Sequence, residues 1–345
     1  MTINSSVTQR CIACDSEKNY KQGIQTGYVE GLSYDIYVCD ECCTSWASPH
    51  SSQDSVYNLI YKNRKDAPGY MRYYIYSQEI LSKKNPFKYL ARQEEMYYGL
   101  YKALRGKHPS SSRVLDVGCG LGYVTYALKK ANYNVTGLDI SSNAIEEAKK
   151  MYGDYFVCED FFQHNPKEGK YDVICMLELI EHVEDPAYYI NHAMSLLSPN
   201  GILILTTPNK SFYPKGSLWE TDAPPVHITW FGELGISKLC SNLGLKSLFI
   251  SFTIYNILFG TVRKSFSQIV QERTPIFSIN GEPLYSRYKK SKLRMITEKY
   301  YVYGILKLAS KITKKITDIV KLPFSFSSYT GSKSNIICVI ISKSS

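Results

Sequence analysis

Hydrophobic positions in the middle of the chain fall into short, nearly unbroken runs. "RVLDV" begins at Arg113, "NVTGLDIS" leads to Asp139, "YFVCED" to Asp160, "YDVICML" begins at Tyr171 and "GILILTTPN" at Gly201. Runs of this length bounded by turn residues predict strands buried on both faces. Between them lie stretches of helical spacing, such as "PAYYINHAMSLLSP". This alternation predicts a parallel, doubly wound α/β sheet. Upstream, about Ser51 to Gly106 reads as helical and tyrosine-rich. Leu90, Met96, Tyr97, Leu100 and Leu104 recur at helix spacing in one helix that stops at Gly106 and Pro109. Further upstream, "YVEGLSYDIYVC" alternates like a short hairpin.

The 345 residues suffice for one large domain with additions or two small ones, and 44% hydrophobic content supplies a sizeable core. The opening "MTINSSVTQR" is polar, and no apolar run reaches the roughly 18 residues of a membrane span. The expected location is the cytoplasm, where thiols stay reduced, so the ten cysteines read as metal ligands or buried apolar residues. Charge is uneven. Arg263 to Lys343 holds 16 lysines or arginines against four acids, a local +12 in a chain whose total is +10. An anionic membrane surface or a phosphate-bearing substrate fits this excess, and so does a solvated helical surface.

Cys11-x-x-Cys14 and Cys39-x-x-Cys42 form two knuckles whose spacing lets four thiolates reach one tetrahedral ion. A closed structural zinc site is expected, with Cys43 as an alternative to Cys42 and Ser48-Pro49 ending the module. After "RVLDV", Gly118, Gly120 and Gly122 precede a helix. Glycines there let backbone approach a ligand at the helix N-terminus. Asp116 beside them suits a cationic amino group better than a pyrophosphate. Asp139, about 20 residues on, is placed to grip a ribose diol.

"VLDVGCGLG", "GLDIS", "CEDF", "YDVICMLELIEHVEDP" and "GILILTTPN" together resemble the class I S-adenosylmethionine-dependent methyltransferases, over roughly Arg113 to Ser251. The resemblance implies a Rossmann-like seven-stranded sheet with an antiparallel last strand. It implies that Asp116 and the Gly118–Gly122 turn, with Cys119, hold the methionine part, that Asp139 binds the ribose, and that Asp160 lies by the adenine amine. Ile140, Phe161 and Leu177 are expected beside the cofactor. "LKSLFISF" and "NIICVIISK" would then be the sixth and seventh strands. The expected division is a zinc ribbon (1–50), a helical linker or lid (51–108), the core (109–252), a basic helical insertion (253–334) and the final strand (335–345). Within the insertion, residues 302–322 read as a basic amphipathic helix. Such a helix either packs on its own domain or lies on an anionic bilayer, which would place the protein peripherally at the inner membrane face.

"MLELIEHVEDP" sets Glu178, Glu181 and His182 at i, i+3 and i+4, one face of a helical turn, and "PPVHITWF" adds His227. This pattern is similar to that of the ubiquinone-pathway O-methyltransferases and the small-RNA 3′-terminal 2′-O-methyltransferases. The likeness implies a divalent ion such as Mg²⁺ at Glu178, Glu181 and His182, holding acceptor hydroxyls, and His227 matches a metal ligand of the RNA group. Many members of the wider class carry the same Glu-His-Val without metal. Glu181 and His182 then shape a loop, and His182 or His227 is the general base. Neither group is typified by a zinc ribbon or so large an insertion. The ribbon on this core is more similar to bacterial methyltransferases of sugar and cell-surface glycan pathways. The expected acceptor is therefore a hydroxyl of a sugar or glycan intermediate. The alternatives are RNA ribose 2′-O-methylation, C- or N-methylation of a nucleotide sugar, and a non-catalytic protein that keeps the fold. The tail's charge alternates with apolar positions instead of stacking aromatics, which argues against nucleic acid.

Overall fold

The computed structural model describes residues 10–65, 67, 69–105, 109–166, 169–213, 223–258, 275–285 and 334–344. The hairpin expected near the N-terminus forms β1 (Asn19–Thr26) and β2 (Ser33–Cys39), joined by β3 (Ser45–Ser48). Helices α1 (Asp54–Asn63), α2 (Met71–Glu79), α3 (Pro86–Leu90) and α4 (Glu95–Leu104) lead to the core. There follow β4 (Arg113–Val117), α5 (Tyr123–Lys130), β5 (Asn134–Asp139), α6 (Ser142–Tyr152), β6 (Phe156–Cys158) and β7 (Tyr171–Leu177). The chain continues through α7 (Pro186–Leu196), β8 (Leu197–Pro208), β9 (Thr229–Trp230), α8 (Glu233–Asn242), β10 (Leu245–Phe249), α9 (Thr253–Leu258) and β11 (Ile336–Lys343).

The seven-stranded sheet runs β10-β11-β8-β7-β4-β5-β6. Strands β4 to β8 pair in parallel, and β11 inserts antiparallel between β8 and β10. This is the doubly wound, Rossmann-like sheet with an antiparallel last strand. Its continuous apolar runs arise because both faces are covered. Val114, Val173, Cys175 and Ile204 pack with Leu100, Leu104, Val124 and Leu128 of α4 and α5. Their neighbours Leu115, Ile174, Met176 and Leu203 face the other way, onto Ile190 and Met194 of α7 and Leu239 of α8. Side chains alternate across a strand, so each run supplies two cores.

Three features depart from the sequence pattern. The single helix expected across Leu90–Leu104 is two, α3 and α4, broken at Glu94, which is extended (φ −141°, ψ 157°). There its carboxylate accepts from the Tyr76 hydroxyl (2.8 Å) and pairs with Arg72 (3.0 Å), contacts a continuous helix would not allow. Next, the N-terminal sheet has order β1-β2-β3-β9, so its fourth strand comes from beyond the fifth core strand. The boundary expected near residue 50 is therefore crossed by strand pairing. Gly235 of α8 seals the contact, since a Cβ there would stand 2.1 Å from Thr44 Oγ1. Finally, residues 275–285 of the expected helical insertion are irregular. Phe277 bridges both Val29 and Pro283 and is fully buried. The basic helix expected near 302–322 lies outside the described residues. Among the described residues no helix is long and apolar enough to cross a membrane.

Candidate active site

Strand order reverses between β4 and β7, and ligands of open α/β sheets bind beyond the carboxyl ends of strands at such a point. The glycine turn follows β4 and the Glu178–His182 segment follows β7, so the topology sets the two motifs side by side. They touch: a Cβ on Gly118 would stand 3.2 Å from the Leu179 side chain.

Gly118, Gly120 and Gly122 all have left-handed φ (72°, 50° and 74°), a region closed to most side chains. Their surroundings differ. A Cβ on Gly122 would meet Phe156 at 2.7 Å and Ala148 at 2.8 Å, so that glycine serves close packing. A Cβ on Gly120 would meet only the Tyr61 hydroxyl, at 3.7 Å, which leaves room for a ligand against the backbone. Asp139 ties the turn down: its Oδ2 accepts from Gly120 N (2.8 Å) and its Oδ1 from Ser141 N (2.9 Å). Each oxygen keeps a second lone pair for a ligand hydroxyl. Burial raises the Asp139 pKa, and the amides of Ser141, Gly120 and Ile140 oppose the shift. Asp116 is buried and accepts from Thr125 Oγ1 (2.6 Å); burial pushes its pKa up to about 7. A cationic ligand group beside it would restore the carboxylate. Ile140 is 75% exposed at the mouth. Asp160 caps the following turn by accepting from Phe162 N (2.7 Å). Phe161 is buried and stacks on Tyr189. Cys119 is buried and Leu177 half-buried.

Beyond β7, a 3₁₀ turn spans Ile180–His182. Glu181, His182 and His227 come together, with ligand atoms all within 4.8 Å of one another. Glu178 is outside this group. It adopts φ 53°, and that left-handed residue breaks the one-face spacing a helical turn would have given. Its backbone N donates to the Thr206 carbonyl of β8 (3.1 Å). His182 Nδ1 lies 2.6 Å from the Val226 carbonyl. A carbonyl only accepts, so Nδ1 carries the proton and Nε2 presents its lone pair. The two imidazoles meet edge to face with centroids 4.6 Å apart. One carboxylate and two imidazoles suit a borderline or hard divalent ion.

The residues sequence reasoning missed hold this cluster. Tyr57 of α1 donates to the same Val226 carbonyl (3.1 Å) and sets its ring edge to His182. Ile228 N donates to Glu181 O, and Ala47 N of β3 donates to Ile228 O. His50 Nε2 pairs with Thr229 Oγ1 at 2.8 Å, and burial pushes the His50 pKa down to about 4 against the pull of Glu184. The tyrosine-rich composition of the linker was the one available signal.

The four cysteines of the N-terminal knuckles also converge. Their sulfurs lie within 4.8 Å of one another, with Cys11 to Cys42 and Cys14 to Cys39 both at 3.5 Å. The hydrogen bond to Cys42, then burial, pushes the Cys11 thiol well up, while the same bond pulls Cys42 down to about 5. So compact a set, three of the four buried, can all ionise only around a cation, and the donor set fits zinc. Cys42 takes the fourth place. Cys43 is exposed.

Residues 89–248 match the family model described as "Methyltransferase domain". Two curated proteins named "Ubiquinone biosynthesis O-methyltransferase" are similar. That of Actinobacillus pleuropneumoniae serotype 7 (strain AP76) is 38% identical over 109 residues, 29% of this chain and 47% of that protein. That of Coxiella burnetii (strain Dugway 5J108-111) is 37% identical over 114 residues, 32% of this chain and 47% of that protein. The chain thus spans about half the length of these curated relatives. A solved S-adenosylmethionine-dependent methyltransferase from Clostridium acetobutylicum ATCC 824 aligns at 15% identity and TM-score 0.39, covering 52% of this chain and 89% of that one. The matched segment holds the glycine turn, Asp139, the Glu181–His182 pair and His227, on a sheet of Rossmann-like topology.

Proposed function

We propose that this chain is an S-adenosylmethionine-dependent O-methyltransferase acting on a hydroxyl of a sugar or glycan intermediate, with a divalent ion at Glu181, His182 and His227. One observation carries the reading: Glu181 and His182, in the segment that follows β7 beside the glycine turn, converge with His227 from beyond β8. The name of the curated relatives supports oxygen as the acceptor atom. Tyr57 beside the cluster offers a flat, amphipathic surface on which a sugar ring packs.

The sulfonium methyl is already activated, so the protein has to align an oxygen in line with it and dispose of the proton. Glu181 and the two imidazoles would hold the ion, whose chemistry is to lower the pKa of an acceptor hydroxyl. His182, fixed in one tautomer by Val226, is oriented whether it serves as ligand or accepts the proton. The buried Glu181 carboxylate compensates positive charge at the site. Four thiolates would hold zinc in the ribbon, where a closed site serves structure and not chemistry.

The test is S-adenosylhomocysteine release over a panel of nucleotide sugars, glycans and small RNAs, with the zinc-loaded protein in the presence or absence of Mg²⁺. Turnover on a sugar hydroxyl that needs the ion and falls at least 100-fold in Glu181→Gln is the expected outcome. Turnover on RNA alone would replace the acceptor reading. Full activity without divalent ion and in Glu181→Gln would remove the metal and leave His182 or His227 as base.

A further inference from the structure

The matched methyltransferase segment begins at residue 89, and α1 lies before it. This helix carries Tyr57 and Tyr61 four residues apart, hence on one face. Tyr57 reaches the Val226 carbonyl and His182, on the acceptor side. Tyr61 reaches the glycine turn, where its hydroxyl is 3.7 Å from the place a Gly120 Cβ would occupy. Gly120 N is the donor to Asp139 Oδ2, so phenol, glycine and carboxylate converge on one spot. Burial, and then the charges of Asp139 and Cys119, raise the pKa of the Tyr61 phenol, so it stays a neutral donor. The hydroxyl makes no hydrogen bond to another described residue. It also faces space: Tyr61, Leu121 and Ser141 line a groove of about 540 Å³. Arg64, one turn on, is paired with Glu147 of α6 and anchors the end of α1.

We propose that Tyr61 is a cofactor-recognition residue whose phenol joins Asp139 in holding the ribose hydroxyls of the adenosyl group. The two then divide the work by chemistry. The Asp139 carboxylate can only accept, so it takes hydrogen bonds from the ribose hydroxyls. Tyr61 donates to a ribose oxygen lone pair and completes the hydrogen bonding of the diol. Because Tyr57 is on the same face, the helix that touches the cofactor also touches the acceptor cluster. The inference rests on the cofactor reading of the glycine turn.

The experiment is calorimetric titration of S-adenosylhomocysteine and of its 2′-deoxy and 3′-deoxy analogues into the full chain and into Tyr61→Phe. Tyr61→Phe should bind S-adenosylhomocysteine about five- to tenfold more weakly. For one of the two deoxy analogues the difference between the proteins should vanish, because the oxygen that Tyr61 contacts is missing. Equal affinity of the two proteins for S-adenosylhomocysteine overturns the proposal. So does an equal loss for all three ligands, which would mark Tyr61 as a packing residue. A folded wild-type protein that binds none of them overturns the cofactor reading as well, and so separates the two failures.

Discussion

At the residue scale, burial decides which polar groups are poised. The Asp116 carboxyl has its pKa raised to about 7 by burial, against roughly 3.9 in an unfolded chain. Between those values the folded protein binds the proton and the unfolded chain does not. Stability of the ligand-free protein is therefore highest below about pH 4 as far as this group is concerned, and is lost as pH rises towards 7. Comparing thermal midpoints from pH 4.5 to 7.5, Asp116→Asn should lack this component, a few kcal/mol at most. Saturating S-adenosylhomocysteine should also flatten it in the wild type, since the ligand ammonium stabilises the carboxylate. Parallel pH profiles for the two proteins would show that Asp116 is already ionised. The glycines allow a sharper contrast. Gly122→Ala drives a Cβ to 2.7 Å from Phe156 at φ 74° and should cost about 2–4 kcal/mol of stability by overpacking and backbone strain. A midpoint unchanged in denaturant titration would contradict that packing role.

At the element scale, the acceptor-side cluster is laced to the ribbon. His182 donates to Val226 O, Ile228 N donates to Glu181 O, and Ala47 N of β3 donates to Ile228 O. Ala47→Pro removes that last donor without touching a cysteine or a histidine. Methyl transfer should fall at least tenfold while zinc content and S-adenosylhomocysteine affinity hold; wild-type turnover with zinc in place would show that β9 positions nothing. Sequence pattern made the core strands and their parallel pairing legible, because strands buried on both faces read as unbroken apolar runs. The cysteine knuckles were legible from their spacing. Three things were not. β9 is two residues long and gains its identity from a partner about 180 residues away. The break between α3 and α4 depends on Arg72 and Tyr76 capturing Glu94. Glu178 leaves the cluster through a left-handed φ that i, i+3, i+4 spacing cannot reveal.

At the scale of the whole molecule, ribbon and core share one interior. Cys11, Cys39, Cys42 and Trp46 belong to the same buried cluster as Leu115, Ile174 and Leu203 of the large sheet and Phe231 and Ile236 beside it. Zinc in such a site contributes folding free energy directly, on the order of 10 kcal/mol in isolated modules. Removing it should lower the single melting transition of the entire described body instead of releasing a separate low-temperature transition. Calorimetry showing two independent transitions, with the second unmoved by chelation, would argue for an autonomous ribbon. Titration of S-adenosylhomocysteine into the zinc-loaded full chain tests whether the glycine turn of this sheet receives S-adenosylmethionine. One site with a dissociation constant on the order of micromolar is expected, abolished by Gly120→Val, whose side chain would fill the space beneath Tyr61. A folded wild-type protein that takes up no ligand, or a Gly120→Val protein that binds as well as the wild type, would contradict it.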